Sequence, residues 1–184
     1  KFLNAYPIPI KVVVQEKQLG TFHALSCAKD EVTADRLLII PGDNYVTAAS
    51  LKSLLQETNA ALVAPHTRPW DYGVITQREG TLCSTNMRAF DAPPGTLVET
   101  GTYLLERKLY SAFFALENPD DIVDEMSYTR HDVRVVEAKD WYDADCFADL
   151  LELNRYLLSK QTACLGGFID QRATIRGHVV IGKD

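Results

Sequence analysis

The sequence has no hydrophobic run long enough to cross a membrane and no excess of basic residues. Its strongly apolar runs, such as Leu37–Ile40, fall far short of the ~20 residues that a membrane-spanning helix needs. Lysine and arginine total 19 against 25 aspartates and glutamates, which gives a formal net charge of -6. A nucleic-acid-binding protein usually carries a basic face, so this balance argues against broad nucleic-acid binding, although it permits a local nucleotide pocket. We therefore predict neither a membrane nor a nucleic acid as a partner.

Cysteine is scarce, and its positions are scattered along the chain. The four cysteines form no CxxC pair and the four histidines are equally dispersed, so spacing does not predict a zinc site. Reduced thiols in a cytoplasmic protein are the simplest interpretation. The chain has 184 residues, of which 46% are hydrophobic and 24% charged. This ordinary globular composition fits one main domain with a small appendage.

The first third of the chain alternates between short apolar runs and amphipathic stretches. β-branched and aliphatic runs predict buried strands at Val12–Gln15, Leu37–Ile40 and Ala60–Ala64. Between them, helical spacing predicts a helix that starts at Thr21, with Thr21 as its N-cap, and a second helix at Ala48–Glu57. This alternation is typical of a parallel α/β sheet.

The middle of the chain predicts further strands and helices, and the tail has a different period. The middle elements are a hairpin of Tyr72–Thr76 and Thr81–Thr85, a strand at Leu97–Leu105, helices at Glu106–Leu116 and Asp120–Met126, a strand at Val133–Ala138 and an amphipathic helix at Asp145–Lys160. In the tail, Ile169, Ile175 and Ile181 recur every six residues, which indicates turns of a hexapeptide β-helix. A plain pair of β-strands is the alternative.

One candidate binding segment lies where the first predicted strand ends, the usual place for a ligand in a parallel sheet. The amide of Gln15 both donates and accepts hydrogen bonds, which suits the edge of a pyrimidine base. Gly20, followed by Thr21, lets a flat ring approach the backbone closely. The alternative is a solvated glutamine beside an ordinary turn and helix cap.

Two aspartates are the candidate metal ligands. Asp43 follows the strand Leu37–Ile40, and Asp143 follows the strand Val133–Ala138. A carboxylate at the carboxyl end of a strand lies in the crevice where sites form, and two of them can converge on one Mg²⁺, which keeps its other positions for water and phosphate oxygens. The alternative is that both aspartates are turn or helix-cap residues.

Five motifs, in this order, resemble those of the sugar-1-phosphate nucleotidylyltransferases. QEKQLGTFHAL at 15–25 resembles their base-binding segment Q-x4-G-T-x-H-A, and PGDN at 41–44 resembles their metal-binding GD motif. YGVI at 72–75 and ETGTY at 99–103 resemble segments near the sugar. WYD at 141–143, with DLLELNRYLLSK at 149–160, resembles the W-x-D motif and the helix that follows it. The hexapeptide-like tail also fits the family, because many members append a left-handed β-helix. The resemblance therefore spans Val12 to Asp184.

The resemblance implies a fold and a reaction. The fold is α/β: a Rossmann-like nucleotidyltransferase sheet with helices on both faces in residues 1–165, then the start of a left-handed hexapeptide β-helix in residues 166–184. The reaction makes a UDP- or dTDP-sugar from UTP or dTTP and a sugar 1-phosphate, with release of pyrophosphate. The residues implied are Asp43 and Asp143 for Mg²⁺ and catalysis, Gln15, Gly20 and Thr21 for the nucleotide, and Gly73 and Thr100 for the sugar.

The sequence departs from the family pattern in two places. The family's opening G-x-G-T-R loop and Pro-Lys pair, which cradle and neutralise the triphosphate, do not occur here. We therefore expect these residues to belong to a longer chain and to be inactive in transfer on their own. The family's Glu-Lys-Pro segment is replaced by Asn86–Phe90, where Arg88 is the candidate phosphate contact. The alternative function is thus a non-catalytic nucleotide- or sugar-binding or regulatory paralogue that assembles with an active relative, and either function predicts a homo-oligomer.

Overall fold

A six-stranded sheet forms the centre of the computed structural model, which describes residues 8–87, 89–114 and 132–183. The strands are β1 (Arg36–Ile39), β2 (Asn44–Val46), β3 (Ala60–His66), β4 (Val74–Arg78), β5 (Thr81–Asn86), β6 (Thr96–Glu106), β7 (Arg134–Glu137), β8 (Trp141–Asp143), β9 (Cys164–Leu165) and β10 (Val180–Ile181). The helices are α1 (Thr21–Ala28), α2 (Ala48–Leu54), α3 (Arg107–Phe113) and α4 (Phe147–Ser159), with short 3-10 turns at Lys29–Glu31 and Pro69–Asp71.

The strand directions correct the prediction of a parallel sheet. The order is β1-β6-β3-β7-β5-β4, and β4 also pairs with β6 through Val74 and Val98. β3 runs parallel to β7, whereas β6 is antiparallel to both β1 and β3. The sheet is therefore mixed. The apolar runs correctly predicted burial, but burial on both faces does not specify the direction of a neighbouring strand.

Strand β3 divides the core into two layers because successive side chains point to opposite faces. Ala61 and Val63 belong to one apolar cluster, together with Phe22 and Leu25 of α1. Leu62 belongs to the other, which includes Leu54 of α2. Helices thus cover both faces of the sheet, as the resemblance implied.

The pairing of β3 with β6 is interrupted by a bulge next to the candidate site. Ala61 pairs with Tyr103 and Val63 with Glu99, so residues 100–102 of β6 lie opposite Leu62 alone. We call residues 100–102 the β6 bulge. Gly101, at its centre, has φ 69°, and a Cβ there would come within 2.8 Å of Cγ of Pro41. Bulges of this kind redirect a strand beside functional sites, and here the bulge brings backbone against the Pro41 turn.

Several predicted elements differ in the structure. Val12–Gln15 is not a strand: its valines are 40–68% exposed, and no strand among the described residues pairs with them. The N-cap of α1 is Gly20 rather than Thr21, since the chain enters the helix through the positive φ of Gly20, 89°. Helix α3 covers the described part of the predicted Glu106–Leu116 helix, and Asp120–Met126 lies outside the described residues.

The tail contributes a small parallel pair of strands. Val180 and Ile181 pair with Cys164 and Leu165, and Gly166 donates its backbone N–H to the carbonyl of Ile181 at 2.9 Å. The tail thus forms one parallel pair of strands. The left-handed β-helix predicted for residues 166–184 stays a prediction. All four cysteines are free thiols. In the described ranges of the chain, we find no helix with the length and apolar character needed to cross a membrane.

Candidate functional site

Three carboxylates meet where β2 and β8 pair. The two strands form an antiparallel ribbon in which Asn44 is opposite Asp143, and the backbone N–H of Ala144 donates to the carbonyl of Asp43 at 3.1 Å. Carboxylate oxygens of Asp43, Asp143 and Asp145 all lie within 4.8 Å of one another. The structure therefore brings the two predicted aspartates together and adds a third.

Neither Asp43 nor Asp143 is the N-cap of helix α2 or helix α4. Helix α2 is capped by Thr47, whose hydroxyl accepts from the backbone N–H of Ser50 at 3.3 Å. Helix α4 is capped by Cys146, whose backbone N–H donates to Asp149 at 2.9 Å. Other residues perform the capping, whereas Asp43 does lie in a turn, in which the N–H of Asn44 donates to the carbonyl of Pro41 at 3.4 Å. A turn does not require three carboxylates to converge, so the convergence needs a further explanation.

The electrostatics of the cluster are those of crowded like charges. Partial burial raises the pKa of Asp143 above its usual value, and the Asp145 and Asp43 carboxylates raise this pKa further. A hydrogen bond from the Tyr72 hydroxyl opposes the rise, because it stabilises the ionised carboxylate. The pKa of Tyr72 is itself raised, first by its burial and then by Asp143. A cation would relieve the repulsion between the three carboxylates.

An asparagine lies between the two predicted metal ligands. Nδ2 of Asn44 donates to Oδ1 of Asp143 at 2.9 Å and to Oδ1 of Asp43 at 3.2 Å. Oδ1 of Asn44 accepts from the indole Nε1 of Trp141 at 2.6 Å. The side chains of the PGDN and WYD motifs are thus joined by one chain of hydrogen bonds.

The predicted nucleotide segment lines a cavity of about 770 Å³, which we call the large cavity. Gln15, Gly20 and Thr21 line it together with Asp43 and Gly101. Nε2 of Gln15 donates to the carbonyl of Gly20 at 3.2 Å and lies 2.9 Å from Nδ1 of His23. A Cβ at Gly20 would meet no atom within 4 Å, so the backbone here is open to a flat ligand.

A second cavity, of about 220 Å³, lies on the other side of Asp43, and we call it the small cavity. Thr100 lines it, but its hydroxyl donates to the carbonyl of Leu62 at 2.8 Å. Gly73, the other predicted sugar residue, is buried and is not among the lining residues, and its carbonyl accepts from the N–H of Glu99 at 2.9 Å. The structure therefore places Thr100, but not Gly73, at this cavity.

The segment Asn86–Phe90, which stands in place of the family's Glu-Lys-Pro, also reaches the small cavity. Met87 lines it and is 54% exposed, whereas Arg88 lies outside the described residues. Tyr72, Glu99 and Trp141 complete much of the wall. Its lining is thus a mixture of aromatic, apolar and acidic side chains.

Sequence reasoning did not identify Asp145, Asn44 or Tyr72 as site residues. Asp145 follows Asp143 by two positions, and residues at this spacing in extended backbone face the same side, which is a signal that could have found it. Asn44 stands in the PGDN motif but has no charge. The contact of Tyr72 with Asp143 joins distant parts of the chain, and no local pattern predicts it.

Comparison with known proteins places the chain in a family. Residues 1–160 match the family model for nucleotidyl transferases. The bifunctional protein GlmU of Methanocaldococcus jannaschii is 26% identical over 179 residues, which cover 94% of this chain and 43% of that protein. Glucose-1-phosphate thymidylyltransferase of Streptomyces griseus is 24% identical over 192 residues, which cover 97% of this chain and 54% of that protein. The chain thus spans about half the length of these curated relatives.

Solved structures share the fold. The inositol-1-phosphate CTP transferase from T. maritima matches with a TM-score of 0.64 at 22% identity, over 81% of this chain and 66% of that one. UDP-glucose pyrophosphorylase from Acinetobacter baumannii matches with a TM-score of 0.62 at 18% identity, over 81% of this chain and 65% of that one. The resemblance to sugar-1-phosphate nucleotidylyltransferases is confirmed at the level of the family, and the chain belongs to the nucleotidyl transferases.

Proposed function

We propose that the protein transfers a uridylyl or thymidylyl group from UTP or dTTP to a sugar 1-phosphate and releases pyrophosphate. The observation that carries the proposal is the position of Asp43, which lines both the large and the small cavity. In this reaction the α-phosphorus must lie between the base and the sugar. A cation bound to the α-phosphate is needed at that position, and a carboxylate that lines both cavities could bind it there.

The residues of the acidic cluster fit a hard divalent cation such as Mg²⁺. Carboxylate oxygens are the ligands that Mg²⁺ takes from proteins, and it keeps water and phosphate oxygens for the rest of its shell. Asp43 and Asp143 would hold it, with Asp145 as a further oxygen donor. Burial and the two neighbouring carboxylates raise the pKa of Asp143, and a cation would relieve the repulsion part of that rise. When bound, the cation supplies charge neutralisation and Lewis-acid polarisation of phosphate oxygens.

The chemistry is an exchange of one phosphate bond for another. A phosphate oxygen of the sugar 1-phosphate attacks the α-phosphorus, a new P–O bond forms, and the bond to the departing pyrophosphate breaks. The protein contributes mainly positioning and electrostatic stabilisation. The large cavity would hold the nucleotide and the small cavity the phosphate end of the sugar. Among the described residues, the lining of these two cavities includes no lysine or arginine, and the cation of the acidic cluster would supply positive charge here.

Gln15 offers a hydrogen-bond acceptor that suits uracil or thymine. The carbonyl of Gly20 can only accept, so the atom 3.2 Å from it must be the Nε2 donor of Gln15. That orientation leaves Oε1 as the acceptor that the side chain offers to a base. Uracil and thymine present an N3–H donor to such an acceptor, and cytosine presents its N4–H2 donor instead. The choice between these bases is therefore made by the assay below rather than by this hydrogen bond.

The metal assignment is tested by Asp43→Ala and Asp143→Ala in the full chain, assayed by Mg²⁺-dependent pyrophosphate release. Loss of Lewis-acid stabilisation, several kcal/mol in other enzymes, should lower the rate about 100-fold or more. Asp30→Asn, a carboxylate in the exposed turn Lys29–Glu31, is the matched control and should keep the wild-type rate. Full activity in either cluster variant would overturn the assignment.

The base assignment is tested by Gln15→Ala with UTP, dTTP and CTP. Loss of one hydrogen bond should raise KM for UTP and dTTP roughly 3- to 10-fold, with a smaller change in kcat. Gln56→Ala, which removes an exposed amide at the end of α2, should leave KM unchanged. A preference for CTP in the wild-type protein would contradict UTP or dTTP as the proposed donor substrate.

A non-catalytic binding or regulatory role predicts a different outcome in the same assays. The departure at Asn86–Phe90 favours it, because the segment that replaces the family's Glu-Lys-Pro contributes the apolar side chain of Met87 to the small cavity. Such a protein would bind nucleotide or sugar phosphate, measured by calorimetry, without releasing pyrophosphate.

We also propose that residues 166–184 begin a left-handed β-helix and that the protein is a homo-oligomer. The parallel pairing of β9 with β10 supports the first statement. The exposure of Leu165 and Phe168, at 56% and 86%, supports the second, because apolar surface of this kind favours association. Light scattering coupled to gel filtration would test it, and a monomer would contradict it.

A further inference from the structure

The orientation of the Asn44 amide is determined by its partners. An indole N–H is a donor only, so the atom that accepts from Nε1 of Trp141 must be Oδ1 of Asn44. Nδ2 then faces the other way, toward Oδ1 of Asp143 and Oδ1 of Asp43. The two hydrogens of one NH2 group therefore serve the two carboxylates of the proposed metal site.

The supports of this arrangement are rigid. Asn44 is paired with Asp143, and Val46 with Trp141, across the same short β-ribbon. The indole of Trp141 packs against the ring of Tyr72, with centroids 5.4 Å apart, and against the ring of His66 at 6.0 Å. Trp141 also packs against the apolar cluster that contains Leu54 and Leu62. The donor on Trp141 is thus held in place by ring contacts and by the apolar cluster.

We infer that Trp141 and Asn44 are a positioning pair for the metal ligands. Trp141 fixes the Asn44 amide, and Asn44 holds one oxygen of each aspartate, which orients the two carboxylates toward a common cation. The inference rests on the proposed function, since it concerns the same metal site. Both residues line the small cavity, and their hydrogen bonds to each other and to the two carboxylates place the inferred role at Asp43 and Asp143. Partners that orient metal ligands in this way typically change metal affinity 10- to 100-fold when removed.

The test is Trp141→Phe in the full chain, which removes the N–H donor but retains a large aromatic ring. Mn²⁺ is the probe, and its affinity is measured by electron paramagnetic resonance of the free ion. We expect at least about 10-fold weaker binding in Trp141→Phe and in Asn44→Ala, and no further loss when the two are combined. Trp70→Phe is the matched control, because the same substitution is then made at a tryptophan that lines neither the large nor the small cavity.

A second readout separates positioning from general damage to the fold. The Mg²⁺ concentration for half-maximal pyrophosphate release should rise about 10-fold or more in Trp141→Phe and should stay at the wild-type value in Trp70→Phe. Thermal unfolding of both tryptophan variants without metal checks that they remain folded.

The outcomes distinguish this inference from the proposed function. If Asp143→Ala weakens Mn²⁺ binding but Trp141→Phe and Asn44→Ala bind Mn²⁺ like the wild-type protein, the positioning pair is refuted and the metal site stands. If Asp143→Ala binds Mn²⁺ as tightly as the wild-type protein, the metal assignment itself fails. Additive losses in the double variant would show that the two residues act separately and would also overturn the inference.

Discussion

Thr100 and Thr102 lie in the β6 bulge, and replacing each by valine should change stability in opposite directions. Thr100 is 3% exposed, and its hydroxyl donates to the carbonyl of Leu62 at 2.8 Å and accepts from the N–H of Thr102 at 3.3 Å. Thr102 is fully buried, yet its own hydroxyl has no hydrogen-bond partner among the described residues. Valine has nearly the shape of threonine, so each substitution tests the hydroxyl without opening a cavity.

The expected magnitudes follow from the partners. Thr100→Val leaves the carbonyl of Leu62 without its donor at the point where the β3–β6 ladder is interrupted, at a cost of about 1–3 kcal/mol. The longer bond to Thr102 adds about 0.5–1.5 kcal/mol. A total near 3 kcal/mol would lower Tm by roughly 6–12 °C in a domain of this size. Thr102→Val removes a buried, unpaired hydroxyl and should be neutral or stabilising by up to about 1 kcal/mol.

Urea unfolding followed by circular dichroism, together with thermal scans, measures both variants against the wild-type protein. If the two substitutions lower the free energy of unfolding equally, or if Thr100→Val leaves it unchanged, the Thr100 hydroxyl does not stabilise the β6 bulge as described. Thr96→Val supplies a control in the same strand, because its hydroxyl bonds to the carbonyl of Pro93 in an exposed position. It should cost less than about 1 kcal/mol.

Three further predictions concern the site and its support. Asp143→Asn should stabilise the metal-free protein at pH 7, because burial and then the neighbouring carboxylates raise the pKa of Asp143. The stability that this group contributes at low pH is lost as pH rises through the raised pKa, so urea unfolding in EDTA should show the gain of the variant vanish in acid. Gly73→Ala should cost about 1–3 kcal/mol by overpacking, since its Cβ would meet the Thr85 methyl group and lie 2.8 Å from Oε1 of Glu99, and thermal unfolding would detect it. Tyr110→Phe should cost about 0.5–1.5 kcal/mol in urea unfolding, because the buried hydroxyl donates to the carbonyl of Leu25 at 2.7 Å and anchors α1; an unchanged midpoint would contradict this.

The sequence predicted the order of the elements better than their pairing. The strand Leu37–Ile40 and the helix Asp145–Lys160 are present with shifted ends, because apolar periodicity reports local burial. The antiparallel partner of β1 is β6, some 60 residues further along the chain, and no local pattern encodes that contact. Val12–Gln15 shows the converse error: β-branched residues favour extended backbone, but a strand also needs a neighbour to pair with.

The candidate site was predictable to a similar extent. The structure brings Asp43 and Asp143 together, as the motifs indicated. The strands that precede them, β1 and β7, are separated by β6 and β3, so the pairing of β2 with β8, which the sequence did not predict, is what joins the two aspartates. Gly73 and Thr100 were expected to orient a sugar, a prediction that remains to be tested, but the Thr100 hydroxyl is engaged by the bulge. The polarity of the Asn44 amide depends on which atom of a distant tryptophan reaches it, and only the folded chain shows this.

The position of Asp43 in the wall of two cavities has a thermodynamic consequence. A charged molecule that enters the large cavity changes the electrostatic potential in the small one, because the same carboxylate faces both. By linkage, the effect is reciprocal: each occupant must alter the affinity of the other by the same factor. Under the proposed function, the two cavities would therefore form one coupled binding unit, in which the affinity measured for one occupant has a definite value only when the concentration of the other is stated.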